Sequence, residues 1–182
     1  MPDVRESWAF LENSDLVSSA AEVEAAIVKL AAEIQATFKD RYPLVLTVMG
    51  GAVVFAGQLL PRLRLPLDLD YIHVTRYGAA TTGGGISWRV EPPVNVRGRA
   101  VLVLDDILDG GQTMSAIRGR VLELGADSFH CAVLVEKILQ KEKPLAADFV
   151  GLRIPDRFVF GCGMDAKGHW RNLPEIRAMR GP

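Results

Sequence analysis

An α/β fold is what this sequence predicts: a parallel β-sheet flanked by helices, in one domain with extra pieces at both ends. Three observations lead there. Strand-like apolar runs alternate with helix-period segments through the middle of the chain, the pattern of strands joined by covering helices. Residues 100–104 (Ala-Val-Leu-Val-Leu) are apolar without interruption, as a parallel strand buried on both faces must be. The chain has 182 residues, room for a single domain that buries roughly 70% of its unfolded surface without metals or disulfides.

Residues 18–39 read as an amphipathic helix. Ser18 or Ser19 can cap it, Glu22 falls in its first turn, and Val23, Ile27, Leu30 and Ile34 recur at helical spacing. Residues 44–49 form a short apolar strand, after which Gly50-Gly51 turns the chain into a helix over about 52–63. From 67 to 75, Leu67, Leu69 and Tyr71 alternate with Asp68 and Asp70, a half-exposed strand. Residues 77–85, made of glycines and other small residues after Tyr77, read as a flexible loop at the top of a hairpin that returns through 86–90. An acidic loop follows the strand at 100–104. Thr113 then opens a helix with Met114, Ile117, Val121 and Leu124 on its apolar side and Gly125 closing it. Residues 129–135 are another buried strand, 148–154 and 157–160 are two short ones, and a weak helix is expected near 174–179.

Composition excludes several classes. Apolar residues are 49% and charged residues 24%, too rich a core for wholesale disorder. Lys plus Arg number 21 against 22 Asp plus Glu, a net charge of −1, which is no electrostatic footprint for nucleic acid or an anionic membrane. The two cysteines, Cys131 and Cys162, lie in apolar stretches and read as buried thiols of a reducing, cytoplasmic compartment. The first residues are charged and lack the apolar stretch of a signal peptide. Residues 43–61 carry no charge, yet Gly50-Gly51 interrupts them and Val45, Thr47 and Val48 favour strand. They do not read as a membrane helix.

Ligands of such sheets bind beyond the carboxyl ends of the strands, which directs attention to residues 101–114. There an apolar strand runs into Asp105-Asp106, a third acid at Asp109, then Gly110, Gly111, Gln112 and Thr113 at a helix start. The glycines allow close backbone approach, so successive N–H groups can cradle a phosphate at the helix N-terminus, with the Thr113 hydroxyl as a further donor. Asp105 and Asp106 would repel a phosphate; they suit the two hydroxyls of a vicinal diol, or a divalent cation. A sugar phosphate is the ligand implied. Neither G-x-x-x-x-G-K-[ST] nor G-x-G-x-x-G occurs.

This run resembles the phosphoribosyl-pyrophosphate motif of type I phosphoribosyltransferases. The rest resembles the hypoxanthine-guanine branch: residues 75–78 the start of a mobile catalytic loop, Val135-Glu136-Lys137 the strand end with a purine-contacting lysine, and 148–151, 154–159 and 165–171 the C-terminal purine and metal region. The likeness spans about residues 40–175. It implies a core at about 40–160 and a small hood from about 1–38 and 161–182 within one domain, 1–182. Gly50 and Gly51 would form the pyrophosphate loop, which contains a cis peptide. Asp105 and Asp106 would take the ribose hydroxyls, and residues 109–113 the 5′-phosphate. Asp109 would stand near purine N7 as the catalytic group. Lys137 would donate to O6, Phe158 would stack on the base, and the Val159 backbone would read its N1 edge. Asp165 would hold Mg²⁺, with Asp105 and Asp106 as further candidate ligands, and Arg171 would contact pyrophosphate. Gly50 stands where many members have lysine, and Gln112 where a lysine or another residue often sits. Arg76, in place of a small hydroxyl residue beside Tyr77, is a candidate to restore the lost charge.

The resemblance implies transfer of 5-phosphoribose from 5-phospho-α-D-ribosyl diphosphate to N9 of hypoxanthine or guanine, giving IMP or GMP and pyrophosphate. The partners implied are these small molecules and a second copy of the chain, as a homodimer or homotetramer, with no nucleic acid and no membrane. The alternative is a phosphoribosyltransferase-fold regulator that senses nucleotides and binds RNA or DNA; it would need a basic face, which the charge balance does not suggest. His73, His130 and His169 share no metal-ligand spacing and read as structural. Asp68-Leu69-Asp70 lacks the preceding apolar strand of a phosphoaspartate site, and Trp8, Trp88 and Trp170 read as packing anchors.

Overall fold

In the computed structural model, residues 3–76 and 86–180 are described. The chain runs α1 (Val4–Glu12), β1 (Ser14–Ser18), α2 (Ala20–Phe38), β2 (Leu44–Met49), α3 (Val53–Leu59), β3 (Asp68–Arg76), β4 (Ile86–Val90), β5 (Ala100–Leu108), α4 (Gln112–Glu123), β6 (Ser128–Ile138), β7 (Phe149–Pro155), β8 (Val159–Phe160) and β9 (Ile176–Met179). Six strands form the main sheet in the order β4-β3-β2-β5-β6-β7, parallel throughout except for β4, which returns antiparallel to β3 at the edge.

The period-2 pattern of the central strands sends alternate residues to opposite faces. Val45, Leu102, Leu104 and Leu134 pack under α2 and α3, while Leu46, Val101, Val103 and Val133 pack with Met114, Ile117 and Val121 of α4. The caps follow from local chemistry. Ser19 accepts from the Glu22 backbone and Glu22 reaches back, a full capping box. Leu30 is fully buried on α2, and truncating such a side chain to alanine costs about 2–5 kcal/mol.

Several elements differ from the sequence reading. β5 runs on to Leu108, so Asp105 and Asp106 belong to the strand and not to a loop. β6 outruns the expected 129–135, extending to Ile138, with Lys137 at its strand end as the resemblance implied. The helix expected over 52–63 is α3 followed by a 3-10 turn at Leu60–Arg62, where Pro61 falls. The weak helix near 174–179 is instead strand β9: Ile176 and Ala178 are buried in alternation, and the strand pairs with both β1 and β8. Those long-range pairings override a weak local signal. The resulting three-stranded antiparallel sheet, β1-β9-β8, joins the N- and C-terminal segments. α2, which the sequence reading placed in the hood segment 1–38, packs on the main sheet. The loop at 77–85, with Tyr77 and the Arg76 side chain, lies outside the described residues. Among the described residues, no helix is long and apolar enough to cross a membrane.

Candidate active site

The carboxyl ends of β2, β3 and β5 open on a cleft of about 440 Å³, lined among others by Gly50, Gly51, Asp105, Asp106, Asp109, Gly111, Thr113 and Arg171. Parallel pairing brings them together: β2 and β5 run side by side in register, Leu44 opposite Val101 through Thr47 opposite Leu104. Asp105 and Asp106 are each only 9% exposed, and the Asp105 Oδ1 accepts from the Asp106 backbone N–H at 3.0 Å. Burial pushes the Asp106 carboxyl above its usual range. Hydrogen bonds from neighbouring groups and the charge of Arg171 pull it back in part. Gly111, at φ +82°, caps α4 in the left-handed conformation and aims the helix N-terminus into the cleft.

Glycine geometry sets how closely the walls meet. A Cβ on Gly51 would overlap the Asp106 carboxylate, and one on Gly163 (φ +102°) would overlap the Gly51 carbonyl. The Met49–Gly50 peptide is cis. Arg171 braces the same wall: its Nη1 donates to the Gly163 carbonyl at 2.6 Å and its Nη2 pairs with Asp165 Oδ1 at 2.5 Å. The other Asp165 oxygen accepts from Gly168 N–H at 2.6 Å.

A second hollow of about 200 Å³ is lined by Lys137, Phe158, Val159, Met164 and Asp165, and shares Asp106, Ile107 and Asp109 with the first. The Lys137 side chain is 12% exposed and its ammonium lies 3.3 Å from Asp109 and 3.4 Å from Asp156. Phe158 presents its ring to solvent at 55% exposure, while Val159 is buried. An exposed phenyl ring beside a buried strand is a ready stacking surface for a flat ligand.

Helix α1 clasps the segment between Asp165 and Arg171. Trp170 Nε1 donates to the Ser7 carbonyl at 2.6 Å, and its ring meets Trp8 edge-on at 5.0 Å. His169 Nδ1 lies 3.1 Å from Ser7 Oγ and its ring stacks on Phe10.

Most of the described residues that sequence reading selected thus gather into two adjoining hollows; Gly110 is in the lining of neither. Gln112 is exposed on the first turn of α4, outside the residues that line them. Reading the sequence missed Gly163 and Met164, and it set His73 aside as structural, whereas His73 lines the cleft. Its place at the cleft follows from the parallel pairing that sets it opposite Met49, which the sequence alone does not give. His130 is half-buried, its ring edge-on to Phe38. Asp68 sits at the opposite, amino end of β3, held by Tyr42 and Arg99.

Residues 15–167 match the model of the phosphoribosyl transferase domain, and the chain belongs to that family. It is 31% identical over 160 residues to the hypoxanthine-guanine phosphoribosyltransferase of Bacillus subtilis (strain 168), covering 87% of this chain and 89% of that one. A hypoxanthine-guanine-xanthine phosphoribosyltransferase of Tritrichomonas foetus is also 31% identical, over 87% of each chain. The crystal structure of a hypoxanthine-guanine phosphoribosyltransferase from Bacillus anthracis superposes with a TM-score of 0.82 at 27% identity, covering 90% of this chain and 96% of that one. These relatives set the chain among the hypoxanthine-guanine phosphoribosyltransferases, in agreement with the resemblance and fold class read from the sequence. The matches lend nothing to the RNA- or DNA-binding alternative.

Proposed function

We propose that the chain transfers 5-phosphoribose from 5-phospho-α-D-ribosyl diphosphate to N9 of hypoxanthine or guanine, releasing pyrophosphate and IMP or GMP. The observation that carries this is the shared wall: Asp106, Ile107 and Asp109 border both the acid-and-glycine cleft and the hollow beside Lys137 and Phe158. A sugar phosphate in one and a base in the other would meet there.

The roles are those the family resemblance implies, and the chemistry of each group suits them. Asp105 and Asp106, as carboxylates, accept hydrogen bonds from the ribose hydroxyls. Backbone N–H groups from Gly110 to Thr113 hold the 5′-phosphate at the α4 N-terminus. Gly50 and Gly51 offer backbone, and Arg171 a guanidinium, to pyrophosphate. The bond to C1′ breaks early and leaves an oxocarbenium-like centre, so positioning and stabilisation of the departing anion supply most of the catalysis. Asp109 exchanges a proton with N7 as N9 becomes the nucleophile. Lys137 donates to O6, Phe158 stacks on the base, and the Val159 backbone reads N1. Xanthine is the poorer substrate, because its O2 meets the backbone acceptors that read a guanine amino group.

Magnesium suits this donor set. Among the described residues no group of three or more His, Cys, Asp or Glu could close around a metal, and Mg²⁺ typically takes one or two carboxylates with waters and substrate phosphates. Asp165, with Asp105 or Asp106, would hold it, and bound Mg²⁺ neutralises charge on the diphosphate. The same reading extends to a single cytoplasmic domain that assembles as a homodimer or homotetramer.

The test is a pyrophosphate-release assay beside an electrophoretic shift at physiological salt. Release that requires hypoxanthine or guanine, the ribosyl donor and Mg²⁺ supports the proposal. Retardation of nucleic acid with no base-dependent release overturns it.

A further inference from the structure

We infer that Lys143, which lines neither hollow, is a positioning residue for base recognition; this rests on the function proposed above. Lys143 lies in the segment that joins β6 to β7, and its side chain is 11% exposed, unusual burial for a lysine. Its ammonium donates to the Lys137 carbonyl at 2.6 Å, to the Leu108 carbonyl at 3.3 Å and to Glu136 Oε1 at 3.3 Å. Three donors meet three acceptors.

The place of these acceptors gives the residue its meaning. The register pairs of β5 with β6 end at Leu108 opposite Glu136. Beyond that pair the register stops, and the next residues are Asp109 and Lys137 themselves. On the other side, Lys137 stays paired with Ile154 of β7. The Lys143 ammonium ties the two strand ends where the β5–β6 ladder stops. It thereby sets the spacing across which Asp109 and Lys137 stand 3.3 Å apart. Its stem serves a second purpose: Lys143 Cβ and Pro144 Cδ lie 3.3 and 3.2 Å from where a Cβ on Gly111 would stand, so this segment backs the phosphate turn.

The two purposes separate chemically. Lys143→Met keeps an unbranched stem against the turn and removes only the donors. Glu136 keeps Arg153 at 3.0 Å, so it is not stranded. Loosening one hydrogen bond from a charged group to the base is worth about tenfold in affinity. We expect Lys143→Met to raise the hypoxanthine KM about tenfold, leave the ribosyl-donor KM within about twofold, and weaken IMP binding in parallel. Lys143→Arg, again a cationic donor, should restore at least half of the loss on a logarithmic scale. Should Lys143→Met fail to fold, Lys143→Gln takes its place with the same expected split, being a donor too short to span both carbonyls. A hypoxanthine KM unchanged within twofold in a folded variant overturns the inference. Equal rises in both KM values with a lowered Tm and no rescue by arginine overturn it too. Wild-type protein that transfers nothing to hypoxanthine would instead refute the function on which this rests.

Discussion

Gly163→Ala probes how the cleft wall is built. At φ +102° an alanine is strained, at a cost of about 1–2 kcal/mol. Its Cβ would also enter the Gly51 carbonyl, and Gly51 itself has no room for a Cβ against the Asp106 carboxylate. Overpacking of this kind adds about 1–3 kcal/mol. The sum, roughly 2–5 kcal/mol, corresponds to a fall in Tm of roughly 4–20 °C for a domain of this size. Gly98→Ala is the control: φ is +68° and nothing stands within 4 Å of the added carbon, so strain acts alone and the fall should be roughly 2–8 °C. Activity separates the two further. Pushing Gly51 against Asp106 would displace both the proposed pyrophosphate loop and the acid proposed to hold ribose, worth up to about 10² in kcat/KM, whereas Gly98→Ala should leave kcat/KM unchanged. Thermal unfolding and initial rates on both variants read this out. A Gly163→Ala protein no less stable than Gly98→Ala, with kcat/KM within twofold of wild type, would refute the reasoning.

Asp109→Asn should lower kcat by roughly 10²–10⁴ with ribosyl-donor affinity held within a few fold; steady-state kinetics would reveal an unchanged kcat, which would remove Asp109 from proton exchange. Burial pushes the Cys131 thiol up to about 12 and the Cys162 thiol up to about 11, so neither should react with an aromatic disulfide reagent at pH 8 until the chain is denatured. The linkage has a definite sign: above about pH 8.5 the unfolded thiols lose protons that the folded ones keep, so stability should fall as pH rises. Replacing both by alanine should flatten that slope in denaturant titrations. Trp170→Phe, which drops the N–H to the Ser7 carbonyl, should cost about 1 kcal/mol and roughly 2–4 °C in Tm.

Much of this architecture is legible in the sequence because its causes are local. The uninterrupted apolar run of β5 announces a central strand, Ser19 with Glu22 announces the start of α2, and acids followed by glycines and Thr113 mark the strand-to-helix junction. What stays hidden has distant causes. β9 has little propensity of its own and exists because β1 and β8 supply partners on both sides. Gly163 is required by the Gly51 carbonyl, far away in the chain. His73 looks like one more residue of an alternating strand until parallel pairing sets it opposite Met49 at the cleft. Lys143 reads as a surface charge in a Lys-Glu-Lys run, and only the ends of β5 and β6 give it acceptors.

A purine panel tests the central claim most directly. In the proposed base site the Lys137 ammonium, which only donates, would satisfy the O6 of hypoxanthine or guanine and oppose the amino group of adenine. On the same proposal the Val159 carbonyl would need the N1 proton that 6-oxopurines carry and adenine lacks. Unpaired buried polar groups of this kind discriminate by roughly 10⁴–10⁵, against about 10² for shape alone. With ribosyl donor and Mg²⁺ fixed, the account expects transfer to hypoxanthine and guanine and negligible transfer to adenine; adenine used within tenfold of hypoxanthine would contradict it.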